Sequence, residues 1–263
     1  MSQQAPAEAR GGEELDRYEA VSQYTLGQIF GIWAAVAVPM GVLAWIVAPL
    51  LEDQFGGTDP LITALLILLN AGLIWQLILT LILVRREQGS LAWARVRDAL
   101  WLRAPRDPKT GRVGGKLWWW IVPFAVAGAA VSSIPIYPSG PAPRDLPNLL
   151  GTDRAEDYFS GNWGGFALLV GVALLAPWVE ELFFRGLLLP RMRDAVGRFD
   201  WVLNGALFAG YHFHQPWSMP SSVLDGIFFQ AFPTKRFQSI WIAAVGHTLP
   251  SFIIIGVVLA VVI

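Results

Sequence analysis

An all-α, polytopic helical membrane protein is the fold class this sequence predicts, and three observations predict it. Of its 263 residues, 54% are hydrophobic and only 15% are charged, where a soluble domain carries about 25%. The apolar residues come in runs. Two of these, 25–51 and 61–84, hold no charge at all and are long enough to cross a hydrocarbon core of roughly 30 Å. Lysine and arginine collect in particular connecting segments, the asymmetry that orients membrane helices. About seven (six to eight) hydrophobic segments are expected, packed around a buried polar site.

Composition also excludes several chemistries. With no cysteine, disulfides, thiolate nucleophiles and cysteine metal ligands are ruled out. A net charge of −1 gives no sign of nucleic-acid binding. The partner expected from composition is the lipid bilayer; the oligomeric state is left open.

Residues 1–23 hold five acidic and two basic residues and no apolar core, which predicts a polar cytoplasmic tail without a cleavable leader. Residues 24–84 follow as two amino-terminal transmembrane helices. Pro39 and Pro49 predict a kink or an early exit in the first, and "EDQFGGTDP" reads as a short turn between the two. The segment 85–116 carries nine basic and three acidic residues. Within it, "SLAWARVRDALWLRA" (90–104) sets Leu91, Ala94, Val96, Leu100 and Trp101 near one face. That pattern predicts an amphipathic helix on the membrane surface, with an ordinary cytosolic connector as the equal alternative.

Residues 117–263 read as the core. A third span at 117–137 is opened by tryptophans 118–120, which suit a membrane interface. The loop at 138–162 is rich in proline and glycine, with four acidic and two basic residues. The positive-inside rule therefore sets 85–116 and the amino terminus in the cytoplasm and 138–162 outside, in a plasma (inner) membrane. The next span, 163–189, ends at Arg191, Arg193 and Arg198, again a cytoplasmic signature. Shorter apolar pieces follow at 200–213 and 219–234, and a final one at 239–263. Asp225 and Pro233 predict that 219–234 is a broken or partly re-entrant helix.

The fourth span contains "PWVEELFFRG" (177–186). Each charge at the centre of a spanning helix costs about 2.5–3.5 kcal/mol, so Glu180, Glu181 and Arg185 together would cost roughly 7–10 kcal/mol if unpaired. Glu181 and Arg185 are one helical turn apart in the favourable order. Glu180 points about 100° away and has no such helical partner. His212 and His247 stand in later apolar segments. A buried carboxylate, two imidazoles and an arginine suit hydrolysis inside a membrane. Glu180 would take a proton from water, and the two histidines would hold a divalent metal such as zinc or hydrogen-bond the oxyanion. A metal set would be Glu180, His212 and His247. His214, beside Gln215 and Pro216, is expected at the interface.

"EELFFR" (180–185), "FAGYH" (208–212) and "HTLPS" (247–251) resemble the three motifs of the CAAX-protease and bacteriocin-processing family, also called CPBP or Abi. The resemblance covers roughly residues 117–263. It implies an intramembrane endopeptidase acting on a membrane-associated, prenylated or bacteriocin-like substrate. Glu180, Glu181, His212 and His247 would be catalytic, with Arg185, Phe208 and Ser251 in support. The family has been discussed both as metalloenzymes and as glutamate-dependent enzymes. Ser251 stands where the family usually has Asn or Asp, and a hydroxyl cannot offer an amide's donor and acceptor together. The alternative is a non-catalytic membrane protein, an immunity factor, scaffold or ion- or proton-linked transporter, using the same buried residues. Intramembrane Glu and His also build ion sites, but no internal repeat of the transporter kind is visible.

Overall fold

The computed structural model describes residues 21–132, 138–141, 144–150 and 152–263. The expectations for the polar tail up to residue 20 and for the end of the third span lie outside them. The described residues are helical throughout, with one isolated bridge, Arg106 to Val113, in place of any strand.

Among the described residues, four helices are long and apolar enough to cross a membrane: α1 (Leu26–Gln54), α2 (Pro60–Gln88), α6 (Trp163–Arg191) and α9 (Trp241–Val262). Between them lie α3 (Trp93–Ala99), α4 (Ile121–Ser132), α5 (Asp153–Phe159) and α7 (Asp200–Tyr211). The helix α8 runs from Met219–Leu224 through a π-helical stretch, Asp225–Ala231, into Phe232–Phe237. Each of the seven apolar segments thus forms a helix. Segment 219–234 is continuous rather than broken, because Asp225 and Pro233 fall at the two ends of its π-helical stretch, where the register already changes.

The helix ends follow local chemistry. Thr25 caps α1 in a reciprocal box with Gln28, satisfying two donors the first turn leaves bare. Asp59 accepts from the Ile62 N–H at the start of α2, and Gly89, at φ 69°, closes its far end, a backbone state that glycine adopts without a Cβ penalty. Neither Pro39 nor Pro49 ends α1. Pro39 cannot donate to the Ala35 carbonyl, and the Trp75 indole of α2 donates to that oxygen instead, at 2.8 Å. A π-helical turn at Leu43–Val47 and a fresh α-turn opened by Pro49 carry the helix on.

Two polar ends bound the apolar middle. At one end Arg191 is wholly buried. It pairs with Glu87 at 2.7 Å and donates to the carbonyls of Leu187 and Ala99, tying α2, α3 and α6 together. Asp107 pairs with Arg236 there. The Lys109 N–H, then Arg236 and Thr110, hold the Asp107 carboxyl below its usual range. At the other end Asp59 meets Arg154, and Thr63 meets Tyr158. The segment 90–104 is helical only over Trp93–Ala99. Leu100 and Trp101 then turn inward, both buried, with Trp101 at φ 51°. Its apolar face is divided: Leu91 and Trp93 are exposed, while Leu100 joins the core of α1, α2, α6 and α7.

Candidate active site

Helix α6 changes register where the charges begin. It is α-helical to Glu180 and π-helical over Glu181–Leu188, and such stretches recur at functional sites because they re-aim side chains. The Phe184 carbonyl receives the Leu189 N–H five residues on and also the Asn204 amide of α7, at 2.7 Å. Asn204 therefore pins the distorted turn from outside.

Glu181 and Arg185 are both fully buried and paired at 3.3 Å. Arg185 also donates to the Gly226 carbonyl of α8 at 3.2 Å, and its guanidinium lies 4.1 Å from the centre of the Phe208 ring. That reach depends on close backbone contact between α7 and α8. A Cβ on Gly226 would sit 3.0 Å from the Gly205 carbonyl oxygen, and one on Gly205 would sit 2.6 Å from the Ile227 nitrogen.

His247 of α9 stands between the two glutamates. Its Nδ1 is 3.2 Å from Glu181 Oε1, and its Nε2 is 3.9 Å from Glu180 Oε2. An ionised carboxylate only accepts, so Nδ1 carries the proton toward Glu181 and Nε2 is the working face toward Glu180. The 3.9 Å gap is too long for a direct hydrogen bond and leaves both atoms able to hold one water. Glu180, with no helical partner, finds its counterpart across the bundle. Its side chain is 6% exposed and that of His247 is 24% exposed, so this is where the site is reached.

Phe208 is the hub. Its ring meets His212 at 4.7 Å, His247 at 5.8 Å and Phe184 at 5.3 Å, centre to centre. His212 Nδ1 donates to the Phe208 carbonyl at 2.9 Å, which leaves the neutral ring a lone pair at Nε2. His214, expected at the interface, is instead buried. It stacks on His212 at 5.6 Å and bonds the Tyr211 carbonyl; the tight turn after Tyr211 folds it back under its neighbour. Ser251 is buried one turn beyond His247 on α9, and its hydroxyl makes no side-chain hydrogen bond among the described residues.

Among the described residues, no three His, Asp or Glu side chains converge as a set that could hold a metal ion. Glu180 and His247 approach each other, and the rings of His212 and His247 each lie against that of Phe208. The donor set Glu180, His212 and His247 does not fit an ion in this geometry.

Two groups escaped the sequence reading. Asn204 looks like one polar residue in an apolar run. Tyr211 looks like packing, yet its fully buried hydroxyl has no hydrogen-bond partner among the described residues and lies within electrostatic reach of Glu180. Its place directly before His212 was the available signal.

Four helices of spanning length, with two glutamates, an arginine and histidines buried among the helices, define an integral membrane protein with an enclosed polar site. Residues 162–253, which hold all three motifs, match the family model described as Type II CAAX prenyl endopeptidase Rce1-like. The resemblance to the CAAX-protease family is borne out over that stretch, and the match supports an intramembrane endopeptidase. No curated protein and no solved structure matches the chain.

Proposed function

We propose that the protein hydrolyses a peptide bond of a membrane-associated substrate with water activated by Glu180. The observation that carries this reading is the Glu181–His247–Glu180 chain, with contacts of 3.2 and 3.9 Å. Glu180 removes a proton from a water held against His247 Nε2, and the oxygen attacks the scissile carbonyl. His247 enters the reaction as an imidazolium between the two carboxylates, donating from Nδ1 to Glu181 and from Nε2 first to the water oxygen and then to the oxyanion, and it keeps both protons throughout. Glu180 then returns its proton to the leaving amine. His212, with its lone pair at Nε2, orients water or a substrate N–H.

The core is residues 117–263, with 24–84 as accessory helices and 85–116 on the cytoplasmic side of a plasma (inner) membrane. Nine of the basic residues lie in that last segment, which supports a cytoplasmic amino terminus. Glu180 is about 16 Å of helix from Arg191, so the site opens in the cytoplasmic half. Prenylated or bacteriocin-like chains are the substrate class in view. Ser251, not bonded to His247, favours a second reading, a non-catalytic binding protein on the same scaffold.

The test is to incubate wild type and Glu180→Gln with membrane-proteome fractions and to sequence new carboxyl termini. Termini that appear only with wild type are expected. Identical termini from both proteins would remove Glu180 as the base, and no new termini from either would favour the binding protein.

A further inference from the structure

In the reaction proposed above the oxyanion meets one donor, His247 Nε2, whereas oxyanion sites converge several preorganised donors. Neighbouring donors are turned elsewhere. Arg185 faces Glu181 and the Gly226 carbonyl. His212 and His214 each give Nδ1 to a backbone carbonyl, those of Phe208 and Tyr211. Tyr211 differs: it is wholly buried, and its hydroxyl has no hydrogen-bond partner among the described residues.

Three rings fix the phenol in place. It meets Phe184 at 5.5 Å, His212 at 5.3 Å and His214 at 5.4 Å, each edge to face. The helices set its level. Asn204 of α7 reaches the Phe184 carbonyl and the Met192 sulfur just past α6, while Tyr211, at the carboxyl end of α7, lies within electrostatic reach of Glu180. Helix α7 thus runs against α6 and brings Tyr211 toward the reactive carboxylate. A buried hydroxyl left without a partner costs about 1–3 kcal/mol, and phenylalanine would fill the same place without that cost. Such a group suits a bond made only when charge develops on the substrate.

We propose that Tyr211, held by the Phe184, His212 and His214 rings, is a further catalytic residue whose hydroxyl donates to the oxyanion alongside His247 Nε2. This assignment rests on the hydrolytic reading given above. As the water oxygen bonds to the scissile carbon, Glu180 takes the water's proton and the carbonyl π pair moves onto its oxygen, where the two donors meet it. The C–N bond then breaks, the pair returns to the carbonyl, and the amine leaves with the proton from Glu180. Tyr211 keeps its own proton throughout.

A peptide cut by wild type and spared by Glu180→Gln, found by the terminus sequencing above, is synthesised, and its cleavage by the full chain in detergent is followed. Tyr211→Phe should lower kcat about 10²–10³-fold, the loss that follows removal of one oxyanion donor. Its KM should stay within about twofold, since the bond is absent from the bound substrate, and its unfolding midpoint should lie at or above that of wild type. Tyr158→Phe, whose hydroxyl meets Thr63 at the other end of the bundle, should keep the wild-type kcat. A wild-type kcat in Tyr211→Phe overturns the proposal, while the inactive Glu180→Gln leaves hydrolysis standing. A rise in KM alone assigns the hydroxyl to substrate binding and overturns it. A midpoint that falls along with kcat, or an equal loss in Tyr158→Phe, marks a structural effect and overturns it too. A wild type that cuts no peptide removes the assignment together with the reading beneath it.

Discussion

Replacing Glu181 by Gln keeps the shape of the side chain and removes the charge that Arg185 faces. The pair is fully buried, 3.3 Å apart, and Arg185 would be left in contact with the Gly226 carbonyl and the Phe208 ring, neither of them charged. Glu180 and Asp225 stay within its electrostatic reach. Breaking a buried pair in this way costs about 3–5 kcal/mol. At about 2–4 °C per kcal/mol for a chain of this size, the unfolding midpoint should fall by roughly 6–20 °C. The assay is thermal unfolding of purified protein in one fixed detergent, with wild type and variant side by side. A second arm separates lost charge from lost shape. Glu181→Gln/Arg185→Met removes both charges, and replacing a buried pair by apolar groups is often close to neutral, so most of the midpoint should return. A single variant that melts with wild type, or a double variant that melts below the single one, would refute the claim that the pair is held by mutual compensation.

Three further outcomes are expected. Glu180→Gln, whose carboxylate has His247 at 3.9 Å as its nearest ion-pair partner among the described residues, should keep the wild-type unfolding midpoint and lose about 10²–10⁴-fold in hydrolysis, measured on any peptide found to be cut. Arg191→Ala empties a wholly buried position that holds Glu87 and three carbonyls, so it should cost about 3–5 kcal/mol, read as low yield and early melting. Tyr211→Phe removes a buried hydroxyl with no hydrogen-bond partner among the described residues. Its unfolding midpoint should therefore stay or rise, since an unsatisfied buried hydroxyl costs about 1–3 kcal/mol.

The apolar runs were legible because bilayer thickness fixes how long a spanning helix must be; four of the seven segments became helices of that length, and the described part of each of the others became a shorter helix. The Glu181–Arg185 pair followed from one-turn spacing alone. Contacts set by tertiary partners were not legible. The π-helical stretch after Glu180 carries no local cue; Asn204, twenty residues on, fastens its Phe184 carbonyl. The surface helix expected over 90–104 stops at Ala99 because Trp101 adopts φ 51° and its carbonyl takes the Ile240 N–H. His214 has the composition of an interface residue, and a turn of only three residues decides that it stacks under His212. Periodicity reports which face a helix buries; it is silent on which distant amide or ring completes that face.

The bond from the Trp75 indole to the Ala35 carbonyl bears on how the chain enters its membrane. An unpaired carbonyl in hydrocarbon costs several kcal/mol, and Pro39 leaves Ala35 in that state for as long as α1 stands alone. Only a residue midway along α2 closes the debt. The turn between the two helices is five residues, 55–59. Insertion of α1 and α2 together, as a hairpin leaving the translocation machinery in one step, spares the first helix any solitary residence in lipid. Trp75→Phe would then slow biogenesis more than it weakens the finished protein, where α1 has already settled against its neighbours.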